Sequence, residues 1–442
     1  MVKKILKKII PEMMIMKYHY FLAKISAFLY RYPSNKMLVI GVTGTSGKSS
    51  TCYFIAQILE QAGLKIGLTS TTVFKIGSRE WLNDKKMTML GRSQTQKFLA
   101  QMLKEKCQVA IVETSSQGIE QFRHMGINYD ILVFTNLYPE HLEAHGGFEN
   151  YKKAKGKLFA YLTKQKNKKL KFNNQKLTIK KTSIINGDDK YAQYFLDFSA
   201  EEKIIYGKKQ TINNGDKKFI LAENIKKENG ITSAIINKTL YKINLLGDYN
   251  LYNVLAAISV AKVLNIPEEQ IKKAVANLKP LPGRMEFIPN NKNVTVIVDY
   301  AFEPQAVENL YQITKEIPHH NIIHVLGSAG GGRDRGRRPI LGKIASEHAD
   351  IVIITNEDPY EEEPQEIIEQ IAAGIVPQNL GSDKVYKILA RREAIAKALK
   401  LAQPNDLILI TGKGAEQAMC IKNNKMIPWD DRQVVKEELK KI

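Results

Sequence analysis

Cysteine is scarce in this 442-residue chain, and the little there is has no pattern. Cys52, Cys107 and Cys420 show no metal-binding or redox spacing, which excludes a disulfide framework and a cysteine-rich zinc site. They suit a reducing cytoplasm and read as small buried residues. No apolar run approaches the ~20 residues that a bilayer crossing needs. Acidic residues are few beside basic ones: 45 Asp and Glu face 66 Lys and Arg, a net charge of +21. That balance admits nucleic acid, a membrane surface or anionic substrates as partners. The lysines are spread along the chain, densest from Lys164 to Lys181, without the interleaved aromatics of RNA-binding modules. A solvated surface accounts for the dense run and phosphate-bearing substrates for part of the remainder. Nucleic acid is not expected.

The length predicts two or three domains. Residues 1–36 form a basic, apolar segment in which Lys3, Lys4, Lys7 and Lys8 punctuate isoleucine and leucine, followed by an apolar-aromatic stretch from Met13 to Tyr32. No small-residue cleavage site marks it as a signal peptide. It reads either as an amphipathic helix on an anionic membrane or as a helix packed on the domain behind it. From Met37 to about Leu281, apolar strands alternate with helices, as in a parallel sheet. The predicted strands are Met37–Val42, Val109–Glu113 and Ile131–Thr135, with a Lys/Asn-rich, β-rich and peripheral stretch between Lys164 and Leu246. Tyr249–Leu264 and Glu268–Leu278 are predicted helices. Pro280-Leu281-Pro282-Gly283 marks the boundary, so the domains are 37–281 and 282–442. In the latter, strands are predicted at Val294–Val298, Asn321–Leu326, Asp350–Thr355 and Asp406–Thr411.

What is present in strength is a phosphate loop. Gly41-Val42-Thr43-Gly44-Thr45-Ser46-Gly47-Lys48-Ser49 follows a strand and opens a helix. Glycines let backbone N–H groups converge on phosphates, and the helix N-terminus adds positive potential. Lys48 suits the outer phosphates and Ser49 a Mg²⁺ ion. The spacing departs from the common G-x-x-x-x-G-K-[ST] form and points to a subclass. Glu113, closing a parallel strand, is placed to help hold Mg²⁺. His141 and His145, four apart, could share a helical face, but H-E-x-x-H is absent and Gly146-Gly147 follows at once, so zinc is disfavoured.

These residues fall in a known order. GVTGTSGKSS, VETSSQGIEQFRHMGI, FTNLYPEHLEAHGGFENYKKAK, GDYNLYNVLAA, LPGRMEF, VDYAFEP, GSAGGGRDRGRRP, NEDPYEEEP and GKGAEQ resemble the Mur ligases from Met37 to the C-terminus. The likeness is closest to the branch that adds the third residue of the peptidoglycan stem. It implies an α/β fold, with a P-loop central domain built on a parallel sheet and a C-terminal Rossmann-like α/β domain. It also implies an ATP-dependent amide ligase that forms an acyl phosphate.

By resemblance, Gly44, Thr45, Ser46, Gly47 and Lys48 hold ATP's phosphates, and Ser49, Glu113, His141 and a carbamylated Lys155 bind Mg²⁺. Asn253 lies on the adenine side of ATP, Asp299 on its ribose and Arg284 on its phosphates. Thr88, Ser115, Gln121 and Arg123 meet a muropeptide acceptor. Arg333, Glu357, Asp358, Tyr360, Gly412 and Glu416 meet the free amino acid. A cytoplasmic monomer is expected, with peripheral membrane contact possible through residues 1–34.

Several positions depart from the family pattern. Ser46 and Ser49 replace Asn and Thr, and Ala415 replaces a histidine. Tyr360 stands where diaminopimelate-adding enzymes carry an arginine, and a phenol cannot supply that bidentate fork. With Glu357, Asp358, Glu361, Glu362 and Glu363 around it, a dibasic amino acid such as L-lysine is expected. A solvated helix start would also account for the acidic run. Only 36 residues precede the loop region, where the family carries a UDP-binding domain. That leaves open a lipid-linked muropeptide or a poly-amino-acid as acceptor. A nucleotide-dependent scaffold is the non-enzymatic alternative, which acceptor-dependent phosphate release would exclude.

Overall fold

The apolar runs form the inner strands of two parallel sheets, because a strand covered on both faces has no polar side to present. The computed structural model describes residues 12–140, 145–172, 175–210, 217–228, 230–332, 334–423 and 425–442. They divide into two compact units, one of Met1–Trp81 with Met87–Lys279, the other of Leu82–Lys86 with Pro280–Ile442.

The first unit contains β1 (Leu38–Thr43), β2 (Ile66–Thr69), β3 (Val73–Ile76), β4 (Arg79–Leu82), β5 (Val109–Glu113) and β6 (Ile131–Phe134). After these come β7 (Lys168–Phe172), β8 (Gln175–Ile179), β9 (Thr182–Asn186), β10 (Glu202–Gly207), β11 (Lys218–Glu228), β12 (Ile231–Ile236) and β13 (Thr239–Ile243). Eleven of them make one sheet in the order β13-β12-β11-β10-β9-β6-β1-β5-β2-β3-β4, while β7 and β8 pair by themselves. The Lys/Asn-rich stretch is therefore less peripheral than expected, since β9 and β10 continue the sheet in parallel from β6. Only β12 and β13 add antiparallel at that edge.

Helix Lys48–Gln61 buries Cys52, Ile55, Ala56 and Leu59, the i, i+3, i+4, i+7 stripe of an amphipathic helix. It packs on helix Asp248–Val263, which buries Leu251, Val254, Leu255 and Ile258 at the same spacing. Each valine, leucine or isoleucine among them contributes about 1.5–3 kcal/mol on full burial. The N-terminal helix, Glu12–Leu29, buries Ala23, Ser26 and Ala27 and packs near helix Arg92–Lys104. One face thus packs on the domain. Among the described residues no helix is long and apolar enough to cross a membrane.

Part of the lysine run is not solvated. Lys168 and Lys181 are buried on one carboxylate, with Nζ atoms 2.5 and 2.9 Å from the two oxygens of Asp130. Lys181 also donates to Asn128 Oδ1 and the Tyr129 carbonyl.

The second unit contains β14 (Glu286–Phe287), β15 (Thr295–Val298), β16 (Ile322–Leu326), β17 (Ile351–Thr355), β18 (Val385–Ile388) and β19 (Leu407–Ile410), ordered β14-β15-β19-β16-β17-β18. All pairs are parallel except β14 with β15. A hairpin of β20 (Ala418–Ile421) and β21 (Lys425–Pro428) follows. Buried Arg391 ties this unit together. It grips Asp431 through Nε and Nη2 at 2.8 and 2.6 Å and donates to the Thr411 carbonyl.

Candidate active site

Parallel register aligns the strand ends of the first unit: Val42 of β1 lies opposite Glu113 of β5, and Thr43 opposite Phe134 of β6. The segments after β1, β2, β5 and β6 therefore leave from one edge, where open α/β sheets bind ligands. In the phosphate loop, Gly47 has φ 74°, and a Cβ there would stand 2.5 Å from Asn253 Oδ1, so only glycine fits. Asn253 is thus packed directly against the loop, where it also accepts from the Thr51 hydroxyl at 3.1 Å. Lys48 Nζ donates to the Thr45 carbonyl at 2.6 Å. The Ser46 N–H donates to Asn136 Oδ1 at 2.9 Å, fixing the loop to the end of β6.

Glu113 is buried and hydrogen-bonded by neutral groups. The Ser49 hydroxyl donates to Oε2 at 2.8 Å; the Thr71 N–H donates to Oε2 at 2.7 Å and its hydroxyl to Oε1 at 2.9 Å. Thr88 joins this group, its hydroxyl 3.0 Å from that of Thr71. Lys155 is fully buried, with Nζ donating to the Gly44 carbonyl at 2.6 Å and lying 4.5 Å from the Tyr151 ring centre. Burial, and then the charge of Lys48, push this ammonium well below the usual lysine range, while Glu140 and Glu113 oppose that shift.

Around the same edge, Ser115 caps helix Ser116–Glu120, its hydroxyl oxygen accepting from the Gly118 N–H at 3.2 Å. Gln121 Oε1 accepts from Arg123 Nε and Nη2 at 3.1 and 2.7 Å, and Arg123 Nη1 donates to the Met89 carbonyl. Arg92 donates to the Gln121 carbonyl at 2.5 Å. Two guanidinium groups thus converge on the Gln121 segment. His141 lies outside the described residues. His145 is buried, with Nε2 3.1 Å from the Ser116 hydroxyl and Nδ1 3.2 Å from Glu120. Among the described residues no group of three His, Cys, Asp or Glu could hold a metal ion.

In the second unit, Asp299 is buried and accepts the Met285 and Ala301 N–H groups at 2.6 and 2.7 Å. Arg284 lies over the Tyr300 ring, 4.2 Å from its centre. Arg333 lies outside the described residues. Asp358 is paired twice, to Lys413 at 2.9 Å and to Lys86 at 2.6 Å, and both lysines also reach Glu416. The acidic run is largely committed: Glu362 pairs with Arg338 and Arg335, and Glu361 accepts from the Asn423 N–H. Glu357 differs. It is buried, its Oε2 accepts no hydrogen bond, and burial, then the Asp358 charge, raise its carboxyl above the usual range. Gly412 lies against it, for a Cβ there would stand 2.5 Å from that oxygen. Tyr360 has φ 52°, and its ring sits over Gly331, where a Cβ would be 2.8 Å away.

Sequence reasoning missed Thr71, Arg92 and Lys86. Thr71 follows the carboxyl end of β2, and that position was its signal. Neither Arg92 nor Lys86 had one, since each stands among other polar residues.

A family model described as "Mur ligase middle domain" matches residues 42–261, and one described as "Mur ligase, glutamate ligase domain" matches residues 283–414. A UDP-N-acetylmuramoyl-L-alanyl-D-glutamate–2,6-diaminopimelate ligase of Geobacillus thermodenitrificans is 34% identical over 417 residues, 93% of this chain and 80% of the relative. A UDP-N-acetylmuramyl-tripeptide synthetase of a Roseiflexus species is 34% identical over 420 residues, again 93% and 80%. A solved structure titled as a 2,6-diaminopimelate ligase of the same type matches with a TM-score of 0.60 at 27% identity, over 92% of this chain and 79% of that one.

Proposed function

The chain belongs to the Mur ligase family, ATP-dependent amide ligases, and from that premise we propose that it adds a dibasic amino acid to a muramyl-peptide carboxylate in peptidoglycan precursor synthesis. The observation that carries this reading is the convergence of a phosphate loop, a buried carboxylate and a buried lysine on one sheet edge. In this reading residues 37–281 are the ATP-binding domain, 282–442 the C-terminal domain, and 1–36 a basic helical segment. The need for ATP assigns the activity to the cytoplasm.

The chemistry asks for cations and placement more than for a strong base. A substrate carboxylate oxygen bonds the γ-phosphorus of ATP as the bridge to ADP breaks. The amino acid's nitrogen then bonds the acyl carbon, a proton leaves that nitrogen, and phosphate departs. Lys48 and the amides of Gly44–Gly47 hold the phosphates. Arg284, Asn253 and Asp299 serve the rest of ATP. Thr88, Ser115, Gln121 and Arg123 orient the acceptor, with the Arg123 guanidinium suited to a carboxylate.

The residues present fit the family's Mg²⁺. Glu113 is a buried anion whose hydrogen bonds all come from neutral donors, one of them the loop's own Ser49 hydroxyl. Ser49, Glu113, His141 and carbamylated Lys155 would hold the ion, which neutralises phosphate charge when bound. Carbamylation converts an ammonium into an anionic oxygen donor and needs a neutral amine, which the burial of Lys155 favours.

Relatives are named for diaminopimelate, yet Tyr360 cannot grip a second carboxylate as an arginine does. The uncommitted group nearby is Glu357, an anion suited to an ammonium. Lysine is therefore favoured as the amino acid added. The test incubates the protein with ATP, Mg²⁺, UDP-linked and UDP-free muropeptides, and lysine, ornithine or meso-diaminopimelate, following phosphate release and product mass. Expected is a product heavier by one lysine residue, with one phosphate released per bond. Phosphate release indifferent to acceptor defeats the ligase reading; preference for diaminopimelate defeats the lysine assignment alone.

A further inference from the structure

Helix Glu12–Leu29 has two unlike faces. Ala23, Ser26 and Ala27 are buried, and Ala27 comes so near Gly126 that a Cβ on the glycine would stand 2.5 Å away. Tyr20 meets the Phe122 ring edge-on. On the opposite side Met14, Tyr18, Phe21, Ile25 and Phe28 follow one another at steps of four, three, four and three. They form a single row, about 21 Å long at 1.5 Å per residue. Every member is more than half exposed, from Ile25 at 53% to Phe28 at 68%. Leu29, also exposed, widens the row. Continuous apolar surface of this kind on a soluble protein marks something that covers it.

The charges decide among occupants. Lys17 and Lys24, seven residues apart, run along one border of the row, and Arg31 follows its end; all three are exposed. Residues 1–31 carry seven cations, Lys3, Lys4, Lys7, Lys8, Lys17, Lys24 and Arg31, against one anion, Glu12. A two-fold pairing with a second copy would set this border against its own like. Anionic headgroups would neutralise it while their acyl chains take the apolar row. Tyr18 suits that boundary, its hydroxyl wet and its ring not, while Phe21 and Phe28 suit the acyl side.

We propose that this face lies on the surface of an anionic bilayer, with the helix parallel to the membrane plane, and so docks the enzyme peripherally. The inference stands apart from the reading of the active site, because no residue of the row is assigned a substrate role there. The full chain is to be sedimented with vesicles of phosphatidylglycerol and phosphatidylcholine, and with phosphatidylcholine alone, at low and high salt. Expected is at least tenfold stronger partitioning to the anionic vesicles, weakened by salt. F21D combined with I25D should lower it at least tenfold without changing the melting temperature. K17E with K24E should reduce both the partitioning and its salt dependence. F21W offers a second readout that leaves the fold intact: its fluorescence should shift to the blue on adding anionic vesicles. Equal partitioning to both vesicle types, or none to either, overturns the proposal. So does a dimer in solution that the F21D/I25D chain cannot form while the wild-type chain ignores vesicles.

Discussion

A carboxylate buried beside a second carboxylate destabilises a protein unless a cation shares the space. Glu357 lies beside Asp358, and the charges of Arg337, Lys413 and Arg391 offset burial and that neighbour only in part. Asp358 next to it has Lys86 and Lys413, whereas Glu357 keeps an oxygen without a hydrogen bond. Its folded-state pKa is raised above the unfolded value, so whatever stability the protonated form gives is present at low pH and is lost as pH rises through the carboxylate range. At neutral pH the charge is therefore a cost to the fold. Glu357→Gln should leave the melting temperature unchanged or raise it, while increasing the KM for the added amino acid about 30-fold, roughly 2 kcal/mol of binding. Acceptor-dependent ADP formation should persist, because Glu357 serves the amine and not the phosphates. Thermal shift with and without lysine, beside steady-state kinetics, checks both halves. A lowered melting temperature with an unchanged KM would make Glu357 structural.

At the scale of elements, legibility followed burial. Val109–Glu113 was read to the residue, and the strands at Ile131, Thr295, Ile322 and Ile351 to within one, because central parallel strands are apolar throughout. Between β10 and β12, where strand-like pieces were read, β11 was not legible: it alternates poorly and exposes several of its lysines and glutamates. The phosphate loop and Glu113 could be read because glycines and charges at strand ends are local signals, whereas Lys155, inside helix Phe148–Leu162, was legible only through the resemblance. Thr71 was not legible, because β2, whose carboxyl end was its signal, was not among the predicted strands. Nor could the lysine run be divided into solvated and buried members. Lys168 and Lys181 find their partner 38 and 51 residues back, at Asp130 where β6 begins, and composition has no sign of that. This contact pins the start of β9 and the β7–β8 hairpin to the central strands. Asp130→Ala would leave two buried ammonium groups with no anion. The expected loss is about 3–5 kcal/mol in urea unfolding monitored by circular dichroism. A loss below about 1 kcal/mol would mean that water reaches the lysines and that the pair is a surface one.

For the whole molecule, each unit has its own hydrophobic core and at least one buried histidine whose pKa burial lowers, so acid should weaken both. His324 in the second unit lies between the Tyr311 hydroxyl, 2.6 Å from Nδ1, and the Thr411 hydroxyl, 2.9 Å from Nε2. Burial, then the nearby Arg391 charge, lower its pKa to about 3. His124 in the first unit stands edge-on to Tyr161, and burial, then the Lys157 charge, lower it to about 4. In the unfolded chain both regain a value near 6.5. Between the folded and unfolded values the unfolded chain binds the extra proton, so stability is complete above about pH 6.5 and falls as the pH drops below it. At pH 5 each histidine should have removed about 2 kcal/mol from its own unit, the shift of 1.5 units at about 1.4 kcal/mol each. Calorimetry at pH 7.5 and pH 5 should show the unfolding of both units moving to lower temperature. His324→Gln keeps hydrogen-bonding capacity without the titration, so it should spare the second unit that acid shift and leave the first unit's in place. Val325→Ala, in the core of the second unit, should lower only that unit's transition and so identifies it. An acid shift of the second unit that is the same size in the variant would assign its acid sensitivity to the carboxylates instead of to His324.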